Sequence, residues 1–165
     1  MQCELKELNM NMGKLEYEMY QDIPVKESGS TNLCNGLPYE VFKNYLESQM
    51  ARKYQITSYY DTKVITYIMY VNGLPVGYIG LRFDIDDNWR KWSGNFYYAI
   101  RLEMRNKGYC TKMLGLALDE FRKLGYTEIY GNSSNGNIGS RKVIENNDGI
   151  FLNEEDGTRY YKFIL

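Results

Sequence analysis

The feature that most constrains this chain is a strand-like run followed by a short cationic turn and a strongly periodic helix. The run is Asn95–Ile100, the turn at residues 105–111 reads Arg-Asn-Lys-Gly-Tyr-Cys-Thr, and the helix is predicted from about Cys110 to Leu124. The first amides of a helix have no internal acceptor, and the helix dipole places partial positive charge beside them. The pattern therefore predicts a binding site for a phosphate or pyrophosphate.

Two common phosphate-binding motifs do not fit this turn. A nucleotide P-loop ends in Gly-Lys-Ser/Thr, whereas here Lys107 precedes Gly108. A dinucleotide fingerprint needs three glycines at fixed spacing and a later acidic residue, and this turn has only Gly108. What the turn does match is the pattern Arg-x-x-Gly-x-Gly/Ala, with Cys110 at the last position.

That pattern resembles the pyrophosphate loop of the Gcn5-related N-acetyltransferases (GNAT family), which hold acetyl-coenzyme A. The segments at 98–101, 109–114 and 137–145 resemble the flanks of the same motif and its later block. The predicted element order, β-αα-βββ-α-β-α-β-β, also matches the family. The resemblance covers nearly the whole chain. Within the family, the chain is similar to an uncharacterised bacterial branch.

The resemblance and the hydrophobic periodicity together predict a single domain over residues 1–165. The fold class is mixed α/β (α+β): a central, mostly antiparallel twisted sheet of six or seven strands, flanked by about four helices, with a V-shaped splay between central strands. The periodic segments predict strands at 2–8, Val64–Val71, Val76–Phe83, Phe96–Arg101, Thr127–Tyr130, Ile150–Leu152 and Arg159–Leu165. They predict further helices at Leu15–Tyr20, from Pro38 to about Tyr54 and from Asn137 to about Asn146. Turn-forming residues predict loops at 24–37, 84–94 and 132–136.

Composition excludes several classes of function. The 165 residues include no histidine, which removes Ser-His and Cys-His nucleophile pairs and histidine metal centres. A net charge of −1 gives no basic face for nucleic acid, and no apolar run is long enough for a membrane span. Cys3, Cys34 and Cys110 are odd in number and scattered, which favours a reducing, cytoplasmic location without a metal site.

By the resemblance, the cofactor acetyl-CoA or CoA is held by three groups of residues. Ile100 and Leu102 pair with the pantetheine arm through their backbone, and a later helix starting at Asn137 contacts the cofactor with Ser140 and Arg141. The turn binds the pyrophosphate through Arg105, Asn106, Lys107, Gly108, Tyr109, Cys110 and Thr111.

Two positions depart from the family's pattern. Ile144 stands where many members have a tyrosine that protonates the leaving thiolate, so no catalytic residue is assigned. Cys110 replaces a Gly or Ala. We expect its thiol to be packed and inert, although a thiol at a helix N-terminus can instead have a lowered pKa and be redox-sensitive.

For the substrate, the candidates are Asp84, Asp86 and Trp89, because carboxylates with aromatic rings suit a cationic amine. The alternative is an exposed acidic loop with a packed Trp.

The function implied by the resemblance is acetyl-CoA-dependent N-acetylation of a primary amine, on a small molecule or an exposed amino group, by direct attack in a ternary complex. The alternatives are a non-catalytic acyl-CoA-binding module and, less consistent with the turn, a nucleotide-binding protein. The chain is expected to be a monomer or homodimer that binds neither nucleic acid nor membrane, and its amine substrate is not identified by the sequence.

Overall fold

The computed structural model describes residues 2–27, 30–55 and 62–165. Short 3-10 turns lie at Tyr39–Val41 and Leu102–Met104. The helices and strands, in chain order, are β1 (Cys3–Glu7), α1 (Lys14–Gln21), β2 (Lys26–Glu27), β3 (Ser30–Thr31), α2 (Phe42–Ala51), β4 (Lys63–Val71), β5 (Leu74–Phe83), α3 (Asp87–Trp92), β6 (Phe96–Ile100), α4 (Tyr109–Lys123), β7 (Glu128–Ser134), α5 (Ile138–Glu145), β8 (Ile150–Glu155) and β9 (Thr158–Ile164).

The seven long strands form two antiparallel sheets. One sheet has the order β1-β4-β5-β6 and the other has the order β7-β9-β8. Strand β6 is therefore the last strand of the first sheet, and β7 is the first strand of the second. This arrangement agrees with the predicted mixed fold of six or seven strands with a splay between central strands.

Helices cover both faces of the four-stranded sheet. The apolar stripe of α4, including Met113, Ala117 and Phe121, packs on one face. Met19 of α1 and Leu46 of α2 belong to a second buried cluster on the other face. The alternation along the strands separates the two clusters, because successive side chains of a strand point to opposite faces.

The two sheets meet around Asn95. Its backbone N–H donates to the carbonyl of Tyr130 (2.7 Å), and its side chain accepts from the Tyr130 N–H (2.8 Å) and donates to the Arg82 carbonyl (3.2 Å). Glycines permit this approach: a Cβ on Gly94 would lie 2.6 Å from the Tyr130 carbonyl oxygen, and one on Gly131 would lie 2.6 Å from the Phe96 ring. Asn95 thus lies at the apex of a V whose arms are β6 and β7.

Several predicted boundaries were wrong. The predicted loop at 24–37 carries the small β2–β3 hairpin, although its residues 28 and 29 lie outside the described part of the chain. The loop at 84–94 contains α3, whose N-terminus is capped by the Asp86 carboxylate accepting from the Trp89 N–H (2.9 Å). The predicted turn at 132–136 is largely strand, because pairing of β7 with β9 extends to Ser134. The second helix begins at Phe42 rather than Pro38 and ends at Ala51.

None of the described helices is long and apolar enough to cross a membrane.

Candidate functional site

A cavity of about 430 Å³ opens beyond the apex of the V. It is bounded by β6, by the turn after Met104, by the first turn of α4 and by α5. Its lining residues are Tyr98, Ala99, Ile100, Met104, Arg105, Asn106, Gly108, Tyr109, Cys110, Thr111, Asn137, Gly139, Ser140, Lys142, Val143 and Asn146.

Among the described strands, β6 is the last of its sheet and presents its free edge to the cavity. The N–H of Arg101 donates to Val76 of β5 (2.9 Å). Because backbone groups alternate between the two sides of an antiparallel strand, those of Ile100 and Tyr98 point away from β5, toward β7. The Ile100 carbonyl accepts from Arg105 Nε (3.1 Å), which leaves the Ile100 N–H for a ligand lying along the strand.

The turn before α4 forms a cluster of backbone donors. Gly108 is the N-cap of α4 and has a left-handed conformation with φ 78°, and Asn106 is also left-handed at φ 58°. The first backbone hydrogen bond of α4 runs from the Lys112 N–H to the Gly108 carbonyl (3.1 Å). Within the described residues, the N–H groups of residues 106–111 have no protein acceptor. These donors lie at the positive end of a 15-residue helix, an arrangement suited to an anion.

Cationic side chains surround these donors. Arg105 lines the cavity from the turn, and Lys142 lines it from α5. Lys107 is exposed beside the same turn, with its Nζ 3.9 Å from the Met104 sulfur. A ligand with several negative charges could be bound here by a guanidinium group and by ammonium groups.

The start of α5 supplies polar groups from the opposite wall. The Asn137 Oδ1 caps α5 by accepting from the Ser140 N–H (3.0 Å). Within the described part of the chain the Asn137 Nδ2 has no protein acceptor, so this amide can donate to a ligand.

Asn147 fixes α5 against α4, because its Nδ2 donates to the carbonyls of Thr111 (3.1 Å) and Val143 (2.8 Å).

The side chains of Tyr98, Ser140 and Cys110 all line the cavity. The hydroxyls of Tyr98 on β6 and Ser140 on α5 are hydrogen-bonded at 2.8 Å. Burial, with a smaller effect of Cys110, raises the pKa of Tyr98 well above its ordinary value. Burial also raises the pKa of the Cys110 thiol to about 12, although nearby Arg105 opposes the shift. This direction favours the packed, unreactive Cys110, and the redox-sensitive alternative stays a hypothesis that thiol reactivity would test.

The structure brings together most of the residues predicted to bind the cofactor, and this assignment stays a prediction. Three of them lie outside the cavity. Leu102 is in a 3-10 turn and 57% exposed, since the strand ends at Ile100. Lys107 is exposed beside the turn, and the Arg141 guanidinium donates to the Asn135 carbonyl (3.3 Å). Those in the cavity wall are Ile100, Arg105, Asn106, Gly108, Tyr109, Cys110, Thr111, Asn137 and Ser140.

Sequence reasoning missed Tyr98 and Lys142. Strand alternation places Tyr98 on the same face as Phe96 and Ile100, so its position was available from the sequence. Lys142 follows from helical spacing, because it lies one turn beyond Gly139 on α5.

The predicted substrate residues have structural partners and do not line this cavity. The Asp84 carboxylate is 3.7 Å from Lys63 Nζ, and Asp86 caps α3. The Trp89 ring lies 5.3 Å from the buried Arg82 guanidinium. The acidic segment is a capped surface helix rather than the loop that the sequence predicted, and its assignment to the substrate stays a prediction.

Comparisons with known proteins agree with this geometry. The family model described as "Acetyltransferase (GNAT) domain" matches residues 17–149. No curated protein sequence matches the chain.

The solved structures that resemble the chain share its fold at low identity. The ribosomal L7/L12 alpha-N-protein acetyltransferase RimL, in complex with coenzyme A, is 11% identical with a TM-score of 0.71, over 99% of this chain and 94% of that one. The microcin C7 self-immunity acetyltransferase MccE, in complex with acetyl-CoA and AMP, is 13% identical with a TM-score of 0.69, over 99% of this chain and 92% of that one. The aminoglycoside acetyltransferase AAC(6')-Ib, in complex with coenzyme A, is 17% identical with a TM-score of 0.65, over 99% and 95%.

Proposed function

Because the chain belongs to the GNAT acetyltransferase family, we propose that it is an acetyl-CoA-dependent N-acetyltransferase that acts on a primary amine. The observation that carries the proposal is the cavity itself. It joins an anion-binding turn, an unpaired strand edge and the polar start of a second helix in one continuous space. Acetyl-CoA has a pyrophosphate, an extended amide-containing arm and a thioester in the same order.

The cofactor would be held mainly by backbone groups. The N–H groups of residues 106–111 would bind the pyrophosphate, with charge from Arg105 and Lys142. The pantetheine arm would lie along β6 and accept from the Ile100 N–H. The Asn137 amide would donate from the opposite wall. Such a site is largely formed before the cofactor arrives, which limits the entropy lost on binding.

Transfer would proceed by direct attack of a neutral amine on the thioester carbonyl. The carbonyl oxygen would be polarised by backbone N–H groups of β6 that face the V, and holding both reactants in the splay would supply much of the rate. Among the residues that the structure describes, those lining the cavity include no Asp, Glu or His. The amine would therefore lose its proton to water or arrive already neutral.

The substrate belongs to a broad class, a small-molecule amine or an exposed amino group of a peptide. The names of the structural neighbours include both kinds, a ribosomal-protein acetyltransferase and an aminoglycoside acetyltransferase. We further propose that the chain acts as one domain over residues 1–165, as a monomer or homodimer. The three free cysteines suit a reducing compartment, so we place the reaction in the cytoplasm.

A second candidate is a non-catalytic acyl-CoA-binding module. Ile144 is fully buried in the apolar core rather than placed at the cavity. Over residues 2–27, 30–55 and 62–165, no carboxylate lines the cavity. Both facts remove groups that could catalyse proton transfer.

Release of free CoA thiol separates the two candidates. The protein is incubated with acetyl-CoA and a panel of small amines and amino-terminal peptides, and each rate is compared with the rate without amine. The proposal predicts amine-dependent CoA release and an acetylated product detected by mass. Acetyl-CoA binding without CoA release across the panel would favour the binding module instead.

A further inference from the structure

A second cavity, of about 460 Å³, lies between α3 and the three-stranded sheet. Helix α3 forms one wall, and strands β7, β9 and β8 form the other. We call this space the α3 cleft and define it by Asn88, Arg90 and Lys91 on the helix and by Tyr130, Asn153 and Tyr160 on the sheet. Its volume lies in the range of small-ligand sites.

The α3 cleft lies beside the V, on the face opposite the cofactor cavity. Successive residues of β7 point to opposite faces. Ile129 packs in the core that includes α4, whereas the Tyr130 ring lies 4.8 Å from the Arg90 guanidinium of α3. Gly131 lines the cleft and also adjoins the V, because a Cβ on it would lie 2.6 Å from the Phe96 ring. A ligand in the cleft therefore approaches the V without crossing the cofactor's path along β6.

The charges of the α3 cleft balance, which disfavours a polycation. Its lining carries the carboxylates of Asp87 and Glu155 and the cations of Arg90 and Lys91. Asp87 is paired with Arg90 at 2.9 Å, which leaves Glu155 and Lys91 as one exposed charge of each sign. An amine with several positive charges, such as a polyamine or an aminoglycoside, is attracted by an excess of acidic groups. The described lining has no such excess.

The neutral polar groups of the α3 cleft match a peptide backbone. Over residues 2–27, 30–55 and 62–165, the side chains of Asn88 and Asn153 have no protein hydrogen bond. A carboxamide both donates and accepts, as a peptide group does. Leu152, about half exposed, and the ring of Tyr160 add apolar surface for a side chain. The cleft thus offers a peptide contacts for its backbone and for at least one side chain.

We propose that the α3 cleft binds the residues that follow the amino group of a polypeptide acceptor. This inference rests on the proposed function and narrows its substrate to the amino end of a peptide or protein. The amino nitrogen lies in the V, and the chain runs between α3 and the sheet, where Asn88 and Asn153 bond its backbone. Helix α3 has six residues and is about 9 Å long, so about three extended residues fit along it.

Photo-crosslinking tests the location of the peptide without requiring turnover. The probe is a degenerate pool of hexapeptides with free amino termini and p-benzoylphenylalanine at the third position, added to the protein with coenzyme A. Crosslinks mapped by mass spectrometry are expected on residues 87–91 and 152–160. Crosslinks confined to other surfaces, or crosslinks in the same yield in the Asn88→Ala, Asn153→Ala double variant, would overturn the inference.

Acetylation rates at saturating acetyl-CoA supply a second readout. The kcat/KM is measured for alanine amide, for alanine peptides of two to six residues and for spermidine as a polycationic amine. It is expected to rise about tenfold from alanine amide to the four-residue peptide and then to level off, as for two peptide hydrogen bonds. The double variant should lose this gain and keep the rate on alanine amide. Asn44→Ala, at an exposed position of α2, is the matched control and should behave as the wild type.

The two readouts separate this inference from the proposed function. Acetylation of alanine amide or spermidine with no dependence on peptide length would overturn the inference and leave the transferase in place. Crosslinks in the α3 cleft without acetylation of any acceptor would support the cleft as a peptide site and contradict the transferase. Neither crosslinks in the cleft nor acetylation would contradict both.

Discussion

Replacing Asn95 by alanine tests whether one buried amide holds the two sheets together at the apex of the V. The side chain is 3% exposed and makes two hydrogen bonds, accepting from the Tyr130 N–H (2.8 Å) and donating to the Arg82 carbonyl (3.2 Å). The backbone hydrogen bonds of Asn95 to Arg82 and Tyr130 do not depend on the side chain and should persist.

The magnitude follows from these two contacts. Each hydrogen bond contributes about 1 kcal/mol, and the Tyr130 N–H that loses its acceptor near the buried apex costs roughly 1 kcal/mol more. The variant should therefore lose about 3 kcal/mol in the free energy of unfolding. For a chain of this length the melting temperature should fall by roughly 6–12 °C.

The assay is urea denaturation followed by circular dichroism, with Asn88→Ala as the control. Asn88 is an exposed residue of α3, so its replacement should change stability by less than about 0.5 kcal/mol. Acetyl-CoA binding should weaken in Asn95→Ala as well, since the two arms of the V are then less firmly fixed. A loss of stability in Asn95→Ala no larger than that in Asn88→Ala would refute the role given to this amide.

Three further changes probe the cofactor site, the sheet and the buried thiols. Lys142→Ala should weaken acetyl-CoA binding roughly tenfold, with a smaller effect at high salt, because it removes a cation beside the anion-binding turn; an equal effect at all salt concentrations would contradict a charge contact. Gly77→Ala should cost about 3 kcal/mol or more in the free energy of unfolding, since its Cβ would lie 2.3 Å from the Ala99 carbonyl oxygen. A Cβ on Gly136 would meet the Ser134 hydroxyl at an ordinary 3.9 Å, so Gly136→Ala should be nearly neutral in thermal unfolding. Burial raises the pKa of Cys34 to about 12, so the folded state keeps this proton above the unfolded pKa of about 8.5. The buried Cys34 thiol should make its full contribution to the free energy of unfolding below that pH, and the contribution should fall by about 1.4 kcal/mol per pH unit as the pH rises toward 12. Urea denaturation of the wild type and Cys34→Ala at pH 8 and 10 measures this fall. The same pH dependence in both proteins would contradict it.

The parts of the fold that the sequence predicted correctly are those with a strong local signal. Helix α4 has a continuous apolar stripe from Met113 to Phe121, and the β4–β5 hairpin has an Asn-Gly turn with left-handed Asn72 and Gly73. The predicted boundaries of elements were wrong where pairing with a strand distant in sequence determined them. Residues 132–134 read as a turn because they are small and polar, yet β9 pairs with them and extends β7. Helix α3 is only six residues long and offers too short a pattern to recognise.

In the candidate site, too, features set by the local sequence were predicted better than features set by long-range contacts. The shape of the turn before α4 was predictable, since Gly108 and its cationic neighbours are contiguous in sequence; that it binds an anion stays a prediction. Leu102 was assigned to the strand edge, but the chain leaves the strand after Ile100 and turns. The Tyr98–Ser140 contact joins residues 42 positions apart, and Asn147 reaches Thr111 across 36. Such contacts depend on how α5 packs against β6 and α4, which no local pattern determines.

The central claim is that acetyl-CoA occupies the cavity between β6, the anion-binding turn and α5. Calorimetric titration with acetyl-CoA, with ATP as a control ligand, tests it on the wild type, Gly139→Trp and Ile138→Trp. Gly139 lines the cavity, and a Cβ there would meet the Asn137 Oδ1 at an ordinary 3.7 Å, whereas neighbouring Ile138 is 60% exposed and lies outside the cavity lining. The account predicts micromolar binding to the wild type and Ile138→Trp, loss of binding in Gly139→Trp, and no comparable binding of ATP. Absence of binding to the wild type, or unchanged binding in Gly139→Trp, would contradict it.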